Sequence, residues 1–454
     1  MLSAEENDRL CRVGPGSPVG EALRRYWVPA FQLGDLPEPD APPIHVRVLG
    51  QDFVAVRDTS GRYGLLDELC CHRNASLVYG RAEDGGLRCL YHGWKYDLDG
   101  RILEMPNCAD DRLRARFRQG AYPVVAAGGL GWAYLGPAGT APPFPRFFFN
   151  EAESVAVSEL VFDCNWVQIQ EGSLDSSHVG ILHLDTLTAM RPGVPRSVGS
   201  LRFDGTVWDE TIRFPPGVDA MPSPDNAPRI ELEPTPFGFH YAAVRAMAEA
   251  GRRYVRVTAV GFPYACMIGG SVGAVLVVPR DDETCSFVGV RPLPPGTPAP
   301  APVYAPTVPA TATTEVRPVG PAAAADGWTN DPTETRRYRL PAQDRRAMAV
   351  RASYAGFRGG NRPQDAAVQG VNGRTSRFSR ANENLVPADA AVIRFRRLLL
   401  EAARAVEHGG EPPARGEGFD FSGVRAAAEV VDDRAPWQDL VPGNAGRTAT
   451  ATAP

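Results

Sequence analysis

Two short loops carry the residue types best suited to chemistry. Cys70-Cys71-His72 and Cys89-Leu90-Tyr91-His92 each place a thiol and an imidazole together, with sixteen residues between His72 and Cys89. Two irons bridged by two sulfides need four protein ligands. Giving both thiolates to one iron and both imidazoles to the other raises the reduction potential well above that of an all-thiolate cluster. One Cys and one His per loop lets each loop serve each iron. A tetrahedral zinc ion takes the same ligand types, but zinc sites more often pair Cys with Cys and His with His on separate elements. Gly93 and Trp94 follow His92 directly, a glycine that permits close backbone approach and an aromatic that shields. Cys70 is the preferred ligand over Cys71, because a cysteine adjacent to its own histidine reaches the other iron with difficulty. Cys11, Cys108, Cys164, Cys266 and Cys285 lack ligand spacing and read as small buried hydrophobes.

A second constellation runs from Asn165-Trp166 through Asp175 and His178 to His183. On an ideal helix His178 and His183 lie about 140° apart, too wide for one metal unless the helix bends or ends between them. Such a break is therefore expected. Two imidazoles and one carboxylate on one face of a ferrous ion leave positions open for dioxygen. The carboxylate must come from elsewhere in the chain, with Asp365, Asp331, Asp344, Glu383 and Asp389 as candidates. An electron-storing cluster in the same chain makes an iron acceptor the simplest reading of this pair.

The elements that must position these groups are legible in outline. Ser3-Ala4-Glu5-Glu6 reads as a capping box opening a short helix. Strands are expected at Ile44–Leu49, Phe53–Arg57 and Tyr63–Leu66, and at Trp94–Leu98 and Arg101–Glu104 around Asp99-Gly100, a dipeptide suited to a type I′ hairpin. Residues 1–150 thus form an all-β domain behind a helical segment, bounded by the Pro-rich stretch Pro137–Pro145. Residues 151–454 read as a helix-containing antiparallel sheet, with strands near Ser200–Phe214, Ile230–Arg245, Arg253–Gly261 and Ala274–Val278. Pro292–Ala325 is an extended excursion, Asp389–His408 a helix stopped by Gly409-Gly410, and Gly443–Pro454 a frayed tail.

Composition bounds the rest. The 454 residues carry a formal charge of -5 with no basic stripe, which leaves no electrostatic footprint for nucleic acid. No window approaches 18 uninterrupted apolar residues and no signal peptide is visible, so a soluble, cytoplasmic protein is expected. Eight cysteines are too sparse for a disulfide scaffold, which favours metal ligation.

These motifs together resemble the Rieske non-heme iron ring-hydroxylating oxygenases, in particular the oxygenase (alpha) component of the phthalate-dioxygenase-like group. The likeness spans nearly the whole chain: Val13-Gly14-Pro15-Gly16, Arg24-Arg25-Tyr26-Trp27, the loops from Cys70 to Trp94, Asn165-Trp166 through His183, Gln364–Gln369 and Ala390–Arg394. It implies an α+β fold, a Rieske domain followed by a catalytic domain of helix-grip (START-like) type. It further implies cluster ligands Cys70, His72, Cys89 and His92 and iron ligands His178, His183 and Asp365. Asp175 matches the carboxylate that bridges a cluster histidine of one subunit, His92, to the iron of its neighbour in a head-to-tail ring, a homotrimer or stacked trimers. The implied activity is oxygenation of an aromatic or related cyclic substrate, with an aromatic carboxylate preferred, as in aromatic hydrocarbon catabolism. Electrons would come from NAD(P)H through a separate flavin/iron–sulfur reductase, since no G-x-G-x-x-G fingerprint is present here. Ring dioxygenation, monooxygenation and O- or N-dealkylation all remain open.

Cys71 stands where the family usually has Pro and Asn74 where it usually has Gly, and Gly370-Val371-Asn372-Gly373 departs from the expected continuation. Arg202, Arg213, Arg245 and Arg253 are candidate anchors for a substrate carboxylate, each better read as structural. Two other classes compete: a Rieske electron carrier with an appended ligand-binding domain, and a zinc-stabilised binding module. The roughly 300 residues after the cluster loops and the histidine pair argue against the first.

Overall fold

The computed structural model describes residues 2–162, 164–183, 197–201, 207–211, 227–247, 249–300, 364–365, 367–369, 380–416 and 418–445, with single residues at 345, 355 and 357. The capping box forms as expected. Ser3 Oγ accepts from Glu6 N and the Glu6 carboxylate accepts from Ser3 N, opening helix α1 (Ala4–Cys11). Helix α2 (Pro18–Leu23) starts with Pro in its first turn, where no hydrogen bond is lost.

Three small antiparallel sheets follow. One joins Trp27–Gln32, Leu130–Tyr134 and Val124–Ala127, and a second joins Ile44–Val48, Gln51–Arg57, Tyr63–Asp67 and Ala121–Tyr122. The third is built from Arg81–Glu83, Gly86–Arg88, Lys95–Tyr96 and Ile102–Glu104, with helix α3 (Asp111–Arg116) beyond it. Gln51–Arg57 is buried on both faces: Phe53 and Ala55 enter the main core, whereas Val54 and Val56 enter a smaller core shared with Cys70, Cys89 and Trp94. Period-two alternation thereby ties the metal loops to the rest of the molecule.

The Asp99-Gly100 hairpin forms, but not as the two-residue type I′ turn. Of the pair only Gly100 takes a positive φ, 80°, and Gly100 N donates to Asp97 O. The Asp97 carboxylate accepts from Asp99 N and Arg101 N, at 3.0 and 2.7 Å. That side-chain cap stabilises a longer loop with one left-handed glycine and shortens both strands.

The large sheet runs Val155–Phe162, Cys285–Pro292, Ala274–Pro279, Ala265–Met267, Arg252–Gly261, Gly238–Ala246 and Arg229–Thr235, with Ala427–Asp432 also paired to Arg252–Gly261. Every pairing is antiparallel. The expected strand near Ser200–Phe214 appears as the pair Ser197–Leu201 and Val207–Thr211, the remainder lying outside the described residues. Helix α4 (Trp166–Leu174) and the one-turn α5 (Val179–Leu182) precede this sheet's inner strands, and the long α6 (Ala390–Glu407) follows them. Helix α6 buries Val392, Phe395, Leu398, Leu399 and Ala402 on one stripe and packs against α1, α2, α4 and the strand Arg229–Thr235. Gly409 at φ 75° ends it.

One expectation fails at the C-terminus. Gly443–Ala445 are not frayed, because Asn444 is fully buried and pairs its amide with Arg425 O and N, each at 2.8 Å. Residues 446–454, most of the Pro292–Ala325 excursion and Gly370-Val371-Asn372-Gly373 lie outside the described residues. No described helix is long and apolar enough to cross a membrane.

Candidate metal centres

The two Cys-His loops come together as the spacing requires. Cys70 and Cys89 are 1% and 2% exposed and neighbour one another, while His72 and His92 sit half-buried at the rim with ring centroids 4.5 Å apart. Trp94 stacks on His72 at 4.4 Å, and its indole N–H donates to Asn107 Oδ1 at 2.7 Å. Burial, together with His92 and Arg73 nearby, pushes His72 down and favours its neutral, ligating form. Tight turns shape each loop: Cys70 N donates to Ala75 O, Asn74 N to Cys70 O, and Gly93 N to Cys89 O. Asn74 has φ 55°, and Asn is among the few side chains that tolerate the left-handed region. Cys71 is exposed and lies outside the buried thiol pair.

Thiols inside and imidazoles at the rim fit a two-iron cluster. Among the described residues no three of these four donor atoms gather within 4.8 Å of one another. A single tetrahedral ion with bonds of about 2.0–2.3 Å would need all four to converge. The zinc reading is therefore disfavoured by geometry.

The break between helices falls ahead of His178, where α4 ends at Leu174, and not between the histidines as expected; the single turn of α5 (Val179–Leu182) fills that stretch and ends just before His183. Asp175 terminates α4, and its Oδ1 accepts from Ser177 N and Oγ at 2.7 and 2.6 Å. His178 and His183 then flank the single turn of α5 with their Nε2 atoms 3.2 Å apart. Residues 364–365 and 367–369 are helical and bring Asp365 Oδ1 to 3.1 Å from His183 Nε2 and 3.5 Å from His178 Nε2. Three donors about 3 Å apart are the face left by metal–ligand bonds of about 2.1 Å at right angles. Asp365 Oδ1 is buried yet forms no well-directed hydrogen bond, as a carboxylate aimed at a cation would be. The residues present therefore fit a mononuclear iron.

The electrostatics agree. Burial alone would push His178 down, but Asp175 and Asp365 outweigh it and lift it to about 9. Burial likewise opposes ionisation of Asp175, yet His178 and Ser177 hold it at about 2. Asp175 Oδ2 lies 3.2 Å from His178 Nδ1, with the carboxylate side chain 24% exposed.

Several supporting residues carry no sequence signal. Gln119 accepts from Cys71 N and donates to Asp67 O and Leu69 O, clamping the first loop. Tyr96 Oη is 2.8 Å from Cys70 Sγ. Burial and the thiols of Cys70 and Cys71 push that phenol up, so it remains a donor. Glu171 on α4 is buried between Arg380 and Arg396, with Asn7 of α1 also on Arg380. Gln364 Oε1 sits 2.7 Å from His183 Nδ1. Only a long-range contact reveals each.

Other candidates are otherwise engaged. Glu383 pairs with Arg396 and Asp389 caps Val386 N, while Asp331 and Asp344 lie outside the described residues. Arg245 donates to Ser176 O and Arg253 to Ala435 O; Arg202 and Arg213 are outside the described residues. His45, His240 and His408 pair with Asp52, Glu233 and Arg404 O.

Comparison with known proteins accords with this geometry. Residues 26–121 match the family model for the Rieske [2Fe-2S] domain, and residues 133–291 match that described as LigXa C-terminal domain like. The phthalate 4,5-dioxygenase oxygenase subunit of Pseudomonas putida is 34% identical over 450 residues, covering 97% of this chain and 94% of that protein. The 3-chlorobenzoate-3,4-dioxygenase oxygenase subunit of Comamonas testosteroni is 30% identical over 458 residues, covering 96% and 97%. A crystal structure of dicamba monooxygenase bound to dicamba overlays with a TM-score of 0.53 over 85% of this chain and 99% of that one, at 15% identity, a likeness of fold alone. Full-length similarity to two such subunits leads to one conclusion: the chain belongs to the Rieske non-heme iron oxygenases, as an oxygenase subunit.

Proposed function

We propose that this subunit oxygenates an aromatic carboxylate, with residues 1–150 as the cluster domain and 151–454 as the catalytic domain. The convergence of His178, His183 and Asp365 in a chain that also carries the paired Cys-His loops is the observation that carries the reading. Phthalate and 3-chlorobenzoate, named for the two full-length relatives, are both arenecarboxylates. When bound, a 2Fe-2S cluster supplies one-electron storage and a ferrous ion supplies dioxygen activation.

The chain's own residues do the rest. Cys70, His72, Cys89 and His92 would hold the cluster, Trp94 stacks on the His72 ring, and Tyr96 donates to the Cys70 sulfur. His178, His183 and Asp365 would hold the iron. Asp175 faces His178 as an ion-pair partner at 3.2 Å, and its partly exposed carboxylate would meet a cluster histidine of a neighbouring subunit. A head-to-tail homo-oligomer, a trimer or stacked trimers, follows from that role. A flavin/iron–sulfur reductase supplies NAD(P)H electrons, and the free thiols suit a reducing cytoplasm.

The test supplies NADH, a surrogate reductase and isotopically labelled oxygen to a panel of arenecarboxylates and aryl ethers. Label counted in the product separates dioxygenation, monooxygenation and dealkylation. Turnover confined to non-aromatic compounds would sink the substrate class. Asp175→Asn is expected to keep both metals and lose turnover; full activity there would remove the bridging role.

A further inference from the structure

An imidazole that ligates through Nε2 must keep its proton on Nδ1, and the acceptor facing Nδ1 fixes that tautomer and the ring's rotation. The two histidines of the triad meet different acceptors. His178 Nδ1 faces the carboxylate of Asp175 at 3.2 Å, whereas His183 Nδ1 faces the amide oxygen of Gln364 at 2.7 Å. Gln364 is 1% exposed and immediately precedes Asp365, so one short helical stretch supplies both a donor to the metal and the acceptor behind its neighbour. The Nε2 of His183 is turned inward, 3.1 Å from Asp365 Oδ1 and 3.2 Å from His178 Nε2, which leaves Nδ1 as the protonated nitrogen.

We propose that Gln364 is a positioning residue of the iron site. Its Oε1 accepts the His183 Nδ1 proton and so couples the ring's orientation to the backbone that carries Asp365. This rests on reading His178, His183 and Asp365 as iron ligands. A carboxylate behind an imidazole strengthens it as a donor more than a neutral amide does. The two histidines are thus held unequally: Gln364 Oε1 lies within hydrogen-bond reach behind His183 at 2.7 Å, whereas the Asp175 carboxylate faces His178 Nδ1 at 3.2 Å without a well-directed hydrogen bond. An amide also avoids adding a third carboxylate to a buried site that already holds Asp175 and Asp365.

The experiment titrates full-length, cluster-loaded protein with Co(II), measuring affinity by calorimetry and site symmetry by paramagnetic resonance. Wild type is expected to bind one Co(II) that Asp365→Ala does not. Gln364→Met keeps the side-chain length but removes the acceptor, and is expected to weaken binding by about 10–100-fold with a changed resonance signal. Gln364→Asn, one methylene too short, is expected to weaken it as well, while Gln364→Glu restores affinity to the wild-type level or above. An unchanged far-ultraviolet dichroism spectrum and urea midpoint in each variant report an intact catalytic domain. If wild type binds no Co(II), or Asp365→Ala binds as wild type does, the reading of the iron site fails. If that reading holds but Gln364→Met matches wild type in affinity and signal, the positioning role alone is overturned.

Discussion

The two metal-holding regions are built on opposite plans. The four proposed cluster ligands fall between Cys70 and His92, and the bonds that shape them are turns a few residues long, helped by left-handed Asn74 and Gly93. The iron site has no such local frame. His183 meets Gln364 across 181 residues of chain, and the helix that leads to His178 is held by Glu171 to Arg380 and Arg396, 209 and 225 residues away. Local turns, clamped at the first loop by Gln119, shape the proposed electron-storing site, and docking across 181 and 209 residues of chain shapes the proposed oxygen-activating one. A change of packing should therefore reach the second without disturbing the first.

The strongest test breaks each region separately. Cys89→Ser is expected to abolish the visible absorption of the cluster while the triad still binds one Co(II). Asp365→Ala should do the reverse, keeping cluster absorption and losing the metal at the triad. Bleaching of the cluster in Asp365→Ala would show that the two sites are not independently assembled.

A somewhat smaller effect is expected at Glu171. Burial penalises its carboxylate, but Arg380 and Arg396 outweigh that and hold it below the usual carboxylate range. Glu171→Gln leaves two buried guanidinium groups short of their shared partner, for an expected loss of about 3–5 kcal/mol. Urea unfolding followed by far-ultraviolet dichroism measures it. Because the network clamps α4 to α1 and α6, the triad's Co(II) affinity should fall at urea concentrations where cluster absorption is intact. Simultaneous loss of both signals would erase the contrast.

The same contrast explains what the sequence revealed. The cluster loops, the capping box at Ser3 and the apolar stripe of α6 are short-range patterns, and each appears where residue spacing puts it. The 140° separation on an ideal helix points to an end between the histidines, and α5 does stop just before His183, but the larger break, from Leu174 to Val179, lies ahead of both and carries no such signal. Asp365 was one of five carboxylates until the family resemblance singled it out, because nothing local marks a ligand supplied from so far along the chain. Gln364, Gln119 and the Arg380–Glu171–Arg396 network were silent for the same reason. The hairpin at Asp99-Gly100 was mistyped because the Asp97 side chain, not the dipeptide, decides the turn. Asn444 carries no local signal because its partners, Arg425 and His240, belong to other elements.

A cleft of about 750 Å³, lined by neither metal-holding region, is bordered in part by Asp35 and by Glu159 of the edge strand. Burial, with Glu159 adding repulsion, pushes the Asp35 carboxyl from 3.8 up to about 6. A raised carboxyl holds its proton more tightly in the folded state. Its stabilising contribution is present below about pH 4 and is lost as the pH rises through about 6. Asp35→Asn should thus be more stable than wild type at pH 7, by about 1–2 kcal/mol once partial solvent exposure is allowed for. The advantage should shrink as the pH falls from 7 to 4. Thermal unfolding across that range measures it, and a difference independent of pH would rule out Asp35 as its source.

The smallest effect tests how local the cluster frame is. Asn74 sits in the turn closed by Asn74 N to Cys70 O and by Cys70 N to Ala75 O, at a φ of 55°. Asn74→Ala places a Cβ-bearing side chain without Asn's local polar compensation in the left-handed region, for a cost of about 1 kcal/mol. Asn74→Gly restores the freedom the turn uses and should leave folded stability unchanged within a few tenths of a kcal/mol. Cα strain in a turn this short has few neighbours to spread into, so it is expected to surface as faster thermal bleaching of the cluster in Asn74→Ala. The triad's Co(II) affinity should stay at the wild-type value. Equal losses at both sites would mean that the turn is braced by the same long-range packing as the iron, and that the two regions share one frame.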